Sequence, residues 1–346
     1  MSLVRFAFSM TTALAISSPI HAQVKQVATY HTHEPPDRNV LFAIAVTPDN
    51  EVLSLVAKKD GKWRLTRIRN WWDKHPTDET IDVPGIAPSG KLQLLSASVL
   101  ATADGNFAIS IASGFTGKEG DVGGTPEQVV SVIDLHEFAV KNSARQTGIL
   151  EYFTDGLGRL VAEQTDYGSK RTPVIRGEPG VHRTVTLAFF SIPNLSKTAA
   201  CHFSETLSGA SWIPRDEDCG PSLQSLLDGL RPRHSQTLPT GPPCHAGEST
   251  PDGLYRIETC NDFHRNFWGN PVVTDLRENV YSVSTGALLG AVKETVHDTV
   301  SSGLAQHDGN DYLLVMEGGT RLKVYEIILR SRPLTSSNAP ANSEPP

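Results

Sequence analysis

The chain has 346 residues, of which 38 are acidic and 31 are basic, so its formal net charge is −7 at pH 7. This mild acidic excess argues against a nucleic-acid partner, which would require a basic surface. After the first 22 residues, no stretch is long and apolar enough to predict a transmembrane segment.

Residues 1–22 have the features of a secretory signal peptide. Arg5 provides a basic start, and residues 6–16 form an apolar run that is too short to span a bilayer. Ala22 offers a small residue for cleavage before Gln23. We therefore expect a mature protein that is exported to the periplasm or the extracellular space.

Five polar turns, each centred on an aspartate, stand before runs of apolar and β-branched residues. Their aspartates are Asp49, Asp104, Asp155, Asp252 and Asp308. Each is followed by Gly or Asn, which tolerate the positive φ of a tight antiparallel turn. The aspartates are 55, 51, 97 and 56 residues apart. With the step of 97 counted as two, the chain repeats about every 50 residues, a period typical of propeller blades.

Short runs rich in Val, Ile, Leu, Phe and Tyr flank these turns, and helical periodicity is nearly absent. This pattern predicts an all-β fold. The predicted strands cover residues 41–46, 52–56, 96–100, 107–111, 128–134, 149–153, 159–163, 184–191, 279–284, 287–292, 312–316 and 321–328. Residues 23–31 are expected to add an outer strand to the last blade, because an open ring would leave exposed strand edges.

The step of 97 residues holds the least regular part of the chain. Residues 207–247 are interpreted as an irregular insertion in a degenerate blade, and four cysteines bracket it: Cys201, Cys219, Cys244 and Cys260. In an oxidising compartment such a set is typical of two disulfides, with three connectivities open. Residues 331–346, rich in Ser, Pro and Asn, are expected to be a disordered tail.

The turns with sequence Thr-Pro-Asp-Asn at 47–50 and Thr-Pro-Asp-Gly at 250–253, with Val-Tyr-Ser-Val-Ser-Thr-Gly-Ala-Leu-Leu at 280–289, resemble a known family. They are similar to the WD40-like and YVTN-type β-propellers of secreted bacterial proteins. The resemblance covers residues 38–330 and implies four-stranded blades around a central channel. We therefore expect residues 23–330 to form a single β-propeller of six or seven four-stranded blades.

The densest candidate binding site is a segment that follows a predicted strand. It contains Asn261, Asp262, His264, Arg265 and Trp268, which together offer hydrogen-bond donors and acceptors, an imidazole and an aromatic surface. We predict that this segment is a loop on the face where propeller ligands bind. The simpler interpretation is a long loop that its aromatic residues anchor to the blade.

A second candidate lies in a basic segment, residues 58–74, which also contains three tryptophans. Strand alternation explains most of it, with Trp63 and Leu65 packed inward and the basic side chains in solvent. Trp71 and Trp72 are too bulky for an ordinary loop, and we predict that they contribute to a ligand platform.

Local motifs of catalysis are missing from the sequence. It contains no Gly-x-Ser-x-Gly, Ser-x-x-Lys or phosphate-binding loop, and His136-Glu137 lacks the second histidine of a zinc-protease helix. Zinc would need free thiolates, which export disfavours, and the acidic residues lack the spacing of a calcium loop. We therefore expect neither a metal nor another cofactor.

These observations lead to three hypotheses. The first is an exported, monomeric, non-catalytic propeller that binds or scaffolds a protein, a peptide or a glycan. The second is a lactonase-like propeller hydrolase whose carboxylates and histidines meet at the central channel from different blades. Its candidate residues are Asp262, His264, His297, Asp298 and His307. The third is a structural surface protein whose blades only space other parts.

Overall fold

A computed structural model of the protein describes residues 21–33, 42–58, 62–86, 94–116, 125–148, 150–155, 158–166, 182–208, 211–215, 219, 244–249, 254–265, 271–283, 286–295 and 300–330. These residues form 21 strands. In the first half of the chain they are β1 (His21–His31), β2 (Phe42–Val46), β3 (Val52–Ala57), β4 (Trp63–Arg69), β5 (Thr77–Val83), β6 (Leu94–Ala101), β7 (Phe107–Thr116), β8 (Thr125–Asp134), β9 (Ala139–Thr147) and β10 (Glu151–Thr154). In the second half they are β11 (Leu160–Asp166), β12 (His182–Ser191), β13 (Ser196–Ser208), β14 (Ser211–Arg215), β15 (Cys244–Ser249), β16 (Tyr255–Arg265), β17 (Pro271–Ser282), β18 (Leu288–Thr295), β19 (Val300–His307), β20 (Asn310–Glu317) and β21 (Arg321–Arg330). No helix in this part of the chain is long and apolar enough to cross a membrane.

The strands form five antiparallel sheets. Sheet 1 is β2–β5, sheet 2 is β6–β9, sheet 3 is β10–β14 and sheet 4 is β15–β18, each with its strands in chain order. Sheet 5 has the order β1-β21-β20-β19, so the first and last strands of the chain are paired, from His21 opposite Arg330 to His31 opposite Arg321. The predicted all-β fold and the predicted pairing of residues 23–31 with the last sheet are confirmed.

The predicted aspartate turns connect the first strand of each sheet to its second strand. Asp49, Asp104, Asp155 and Asp308 follow β2, β6, β10 and β19, and the sequence position of Asp252 falls between β15 and β16, outside the described residues. Positive φ angles occur as expected, at 61° in Asn50, 70° in Gly105 and 77° in Gly309. Five turns therefore correspond to five sheets.

This correspondence changes the interpretation of the step of 97 residues. Among its described residues, the step contains the four further strands of sheet 3 and the first strand of sheet 4, so those residues form one enlarged repeat. Two of its strands, β12 and β13, have 10 and 13 residues, and β14 adds a fifth strand to the sheet. The described part of the chain thus forms five sheets, where the period of 50 predicted six or seven.

Apolar clusters fill the space between neighbouring sheets. Leu55, Trp63 and Leu65 of sheet 1 pack against Ala108 and Ile133 of sheet 2, which confirms that Trp63 and Leu65 point inward. Similar clusters join sheet 5 to sheet 1, sheet 4 to sheet 5 and sheet 2 to sheet 3. The first strands are in contact in the order β15, β19, β2, β6 and β10. The arrangement is that of a propeller-like all-β fold.

A buried carboxylate connects the N-terminal strand to sheet 1. Asp78, on β5, accepts hydrogen bonds from the Tyr30 hydroxyl and, at 3.2 Å, from the backbone N–H of His33, whose Nδ1 lies 2.5 Å from Asp78 Oδ1. Burial and the hydrogen bond to Asp78 both raise the pKa of Tyr30. Strand β1, which pairs in sheet 5, is thereby attached to sheet 1 as well.

Disulfides lie where the cysteine pattern predicted them. Cys201, on β13, is bonded to Cys219, and Cys260 is also disulfide-bonded. The backbone register places Cys244 of β15 opposite Cys260 of β16. Of the predicted insertion at 207–247, the structure describes the end of β13, β14, Cys219 and the start of β15. Residues 1–20 and the predicted tail at 331–346 lie outside the described residues.

Candidate binding surface

Loops at one end of the five sheets lie side by side and form a surface that we call the turn face. It consists of the connections from first to second strands and from third to fourth strands. Its described residues are 47–51, 70–76, 102–106, 135–138, 155, 158–159, 192–195, 254, 283, 286–287 and 308–309.

Contacts between neighbouring sheets bring these loops together. A Cβ atom placed on Gly105 of sheet 2 would lie 3.1 Å from Oδ2 of Asp49 in sheet 1. Asn142, near the start of β9, donates from Nδ2 to the backbone oxygen of Asn194 in sheet 3 at 2.7 Å. On the other side, Trp72 of sheet 1 contacts His307 of sheet 5. The turn ends of sheets 5, 1, 2 and 3 are therefore adjacent.

Sheet 4 joins this row through its apolar residues close to the turns. Tyr255 and Val280, near the turn end of sheet 4, belong to the same cluster as Leu304, Leu313 and Ile327 of sheet 5. Those three residues lie in the half of sheet 5 that is nearer the 308–309 turn, since Leu304 pairs with Leu313 four residues before that turn begins and Ile327 pairs with Asp311. The turn ends of sheets 4 and 5 thus lie together.

Trp71 is buried in the boundary between sheets 5 and 1. It has no exposed surface, and its indole Nε1 donates to the backbone oxygen of Asn50 at 2.5 Å. Its ring meets the Tyr312 ring edge to face, with centroids 5.2 Å apart. Burial raises the pKa of Tyr312, and the charges of Glu326 and Asp308 add to this effect. The side-chain hydrogen bond with Asn310 lowers the pKa but does not cancel the increase. Trp71 is therefore part of the packing between sheets 5 and 1, and its predicted role in a ligand platform stays a prediction.

Trp72 is the exposed member of the pair. The His307 ring stacks on its indole with centroids 4.0 Å apart and planes 19° apart, and Trp71 meets its edge at 5.3 Å. These two contacts hold the indole in one orientation, yet 37% of the Trp72 surface remains exposed. An aromatic ring that is rigid and exposed is well suited to binding, because little conformational entropy is lost when a ligand covers it.

Three aliphatic residues are exposed at the turn end of sheet 4. Leu254, Val283 and Leu288 are more than half exposed, and the backbone N–H of Val283 donates to the backbone oxygen of Leu254 at 3.0 Å. Only Val27, on β1, is a further large hydrophobic residue exposed in the described part of the chain. Four of these five exposed residues therefore lie at the turn ends of the sheets, Trp72 on sheet 1 and the other three on sheet 4, and large apolar side chains exposed on one face are a feature of interaction surfaces.

A charged network supports the turn face between sheets 1 and 2. The Arg67 side chain is 97% buried: its guanidinium lies 4.2 Å over the Phe138 ring centre, donates to the backbone oxygen of Leu135 and pairs with Glu79. Glu51 lies 3.6 Å from the same guanidinium. Because its donors are satisfied within the protein, we interpret Arg67 as structural.

Two carboxylates, one exposed and one partly buried, shape the loops of sheet 2. The Thr102 hydroxyl at 2.5 Å and the backbone N–H of Asn106 at 3.1 Å donate to Asp104, and these hydrogen bonds lower the pKa of Asp104. The backbone N–H of Glu137 donates to Asp134 at 3.0 Å, which lowers the pKa of Asp134 in spite of partial burial. Both carboxylates therefore stabilise their turns in the ionised form.

The predicted site at residues 261–268 has a different backbone from the one expected. Asn261, Asp262, His264 and Arg265 continue strand β16 and pair with β17 across a bulge at Asp262 and Phe263, where the sequence predicted a loop. A bulge keeps the strand paired while it bends the chain, so Asn and Asp in this segment do not end it. The side chains of Asn261, Asp262, His264 and Arg265, and the whole of Trp268, lie outside the part of the chain that the structure describes. Their role in binding therefore stays a prediction.

The residues of the hydrolase hypothesis are described in part. His307 stacks on Trp72 at the turn face, whereas residues 297 and 298 and the side chains of Asp262 and His264 lie outside the described part of the chain. Among the residues that are described, no group of three or more His, Cys, Asp or Glu side chains is placed to hold a metal ion.

Sequence reasoning named Trp72 but missed the other exposed apolar residues of the turn ends, Leu254, Val283 and Leu288. A signal was present, because each lies beside a polar turn, where a solvent-exposed hairpin usually carries polar residues. No local sequence pattern predicts the stacking of His307 on Trp72, because the two residues belong to sheets 5 and 1 and lie far apart in the sequence.

No protein-family model matches the chain, and no curated protein sequence matches it. Solved structures resemble it at low identity. Mannose phosphorylase MPT-4 from Leishmania mexicana, in complex with phosphate ion, is 10% identical over 88% of each chain, with a TM-score of 0.38. MPT-1, a GDP-Man-dependent mannosyltransferase from the same organism, is 9% identical over 90% of this chain and 92% of its own, with a TM-score of 0.37. TolB from Acinetobacter baumannii is 14% identical over 85% of this chain and 56% of its own, with a TM-score of 0.28. Similarities at this level assign no activity to the chain.

Proposed function

We propose that this protein is an exported, non-catalytic binding module, built as a five-bladed β-propeller, that holds a protein partner on its turn face. Two features of the topology support the propeller. The first strands of successive sheets are neighbours, and the first and last described strands pair in sheet 5. In many propellers, such a pairing joins the last blade to the first. A closed ring would also place sheet 3 beside sheet 4.

The distribution of exposed apolar side chains carries the functional proposal. Trp72, Leu254, Val283 and Leu288 are exposed at the turn ends of sheets 1 and 4, on either side of sheet 5. Exposing them costs solubility without strengthening the core, whose residues are buried elsewhere. Aromatic and aliphatic side chains rimmed by charged ones form the usual centre of a protein–protein interface. A protein partner is therefore favoured over a small ligand.

Surface substitution tests the proposal. A triple variant, Leu254→Ser, Val283→Ser and Leu288→Ser, removes three of the four exposed side chains and leaves the core untouched. The matched control is Val27→Ser, the exposed apolar residue on β1, away from the turn face. Tagged proteins are expressed in the producing cell, cross-linked before lysis and purified, and their circular dichroism spectra and melting temperatures are compared.

We expect the wild type and Val27→Ser to retain a specific cross-linked partner, and the triple variant to lose it while its melting temperature stays within a few degrees of wild type. Loss in both variants, or retention in both, would contradict a docking role for the turn face. The same preparation tests export, because mass spectrometry of the mature chain should show an N-terminus at or near Gln23.

A further inference from the structure

Trp72 lies among carboxylates as well as rings. Asp73 follows it in sequence, Asp308 follows its stacking partner His307, and Asp49 precedes Asn50, whose oxygen accepts the Trp71 indole N–H. All three carboxylates belong to exposed residues, and the side chain of Asp308 is 85% exposed. Asp308 is the carboxylate whose place beside the ring is fixed by contacts, because its Oδ2 lies 3.4 Å from Nε2 of the His307 ring that stacks on Trp72, and Asp73 is the residue next to Trp72 in the chain.

Within the described residues, no lysine or arginine neutralises these carboxylates. Asp308 lies 3.4 Å from His307 Nε2, and Asp73 Oδ1 accepts the backbone N–H of Lys74 at 2.5 Å. Other acidic residues of sheet 1 differ in this respect, because Asp82 pairs with Arg64 and Glu79 pairs with Arg67. The charge beside Trp72 is thus available to an incoming cation.

We propose that Trp72, with Asp73 and Asp308, binds the cationic side chain of an arginine or lysine on the protein partner. The open face of an indole attracts a cation through its quadrupole, and neighbouring carboxylates add direct attraction. Arginine suits the site best, because its planar guanidinium stacks on the ring and presents hydrogen-bond donors at its edge. The inference rests on the proposed function, since Leu254, Val283 and Leu288 would hold an apolar stretch of the same partner.

A small probe tests the cation site without the partner. N-acetyl-arginine N-methylamide is titrated into the full mature chain, and the indole N–H resonances of its tryptophans are followed by NMR, with Trp72 assigned from a Trp72→Phe variant. The citrulline counterpart has nearly the same shape but no charge. We expect the arginine probe to shift the Trp72 resonance saturably at millimolar concentration, and the citrulline probe to bind at least fivefold more weakly, the effect of about two exposed charge contacts.

Charge variants supply the second arm. Asp73→Asn with Asp308→Asn should weaken the arginine probe by about five- to tenfold. The control, Asp82→Asn, removes an exposed carboxylate of the same sheet that already has a partner, and binding should stay unchanged. Raising the salt concentration should weaken binding to the wild type more than to the double variant.

Equal shifts with arginine and citrulline, or an unchanged affinity in the double variant, would overturn the cation site. So would saturation of Trp72 by a neutral oligosaccharide that the arginine probe fails to displace, which would indicate a glycan platform. These results are separable from failure of the docking proposal. If the arginine probe fails while the triple serine variant still loses its partner, only the cation site is excluded. If the arginine probe binds while the triple variant keeps its partner, only the docking proposal is excluded.

Discussion

Replacing Trp71 by alanine should destabilise the protein far more than replacing its neighbour Trp72. Trp71 has no exposed surface. A buried Trp removes about 150–250 Å² from water, which corresponds to about 4–6 kcal/mol at 25 cal/mol per Å² and is an upper estimate. Core substitutions of this type cost about 3–5 kcal/mol, so we expect a loss in that range for Trp71→Ala. For Trp72→Ala we expect about 1–2 kcal/mol, because the main contribution lost is its stacking on His307.

Equilibrium urea unfolding, followed by far-ultraviolet circular dichroism, measures both values without depending on tryptophan fluorescence. If Trp71→Ala does not fold, Trp71→Phe keeps a ring and loses the hydrogen bond to the Asn50 oxygen, at an expected cost of about 1–2 kcal/mol. Losses for Trp71→Ala and Trp72→Ala within 1 kcal/mol of each other would refute the assignment of Trp71 to the core and Trp72 to the surface.

Three further predictions concern the stability of the fold, two from its packing and one from the pKa of Asp104. Gly85→Ala should cost about 1–3 kcal/mol in urea unfolding, because the new Cβ would lie 2.1 Å from Cδ1 of the buried Trp63 ring; a neutral effect would contradict this close approach. Arg67→Met should cost about 2–3 kcal/mol, less than for a fully buried pair because Glu79 is partly exposed; a more stable variant would contradict its structural role. The melting temperature should fall as the pH drops below about 4, because the folded-state pKa of Asp104 is lowered, so the unfolded chain takes up its proton first.

The control for the acid effect is Asp104→Asn. A residue with a lowered pKa contributes its stability above the pKa of the unfolded chain and loses it as the pH falls through the folded-state pKa. Asp104→Asn should therefore be less stable than wild type at neutral pH, and the difference should shrink in acid. A difference that is constant from pH 7 to pH 3 would show that the charge of Asp104 does not contribute.

The sequence predicted the parts of the fold that depend on local patterns. Aspartate turns and alternating apolar residues are read over a few positions, so the strands on both sides of Asp49, Asp104 and Asp155 were found within a few residues of their bounds. After Asp308, β20 was also found, but β19 before it was not predicted. The step of 97 residues was interpreted as two units because a period counts residues and not strands. In the described residues, sheet 3 uses part of this length for longer strands, as in β13, and for a fifth strand, β14.

The candidate surface was predictable only in part, for a similar physical reason. Two adjacent tryptophans in a polar loop indicated an unusual site, but no local pattern shows that one ring lies buried between two sheets. Burial of Trp71 depends on Tyr312, a residue of the last sheet. Strand pairing also continued through Asn261 and Asp262, which favour turns, because tertiary pairing with β17 overrides a weak local preference.

Site-specific photo-cross-linking tests the central claim, that the turn face binds a protein partner, most directly. A photoreactive residue is placed at Leu288, which is exposed at the turn end of β18, and separately at Lys293, which is exposed further along the same strand. On irradiation in the producing cell, we predict a discrete cross-linked protein from position 288 and little or none from position 293. Equal products from both positions, or a product from position 293 alone, would contradict the account.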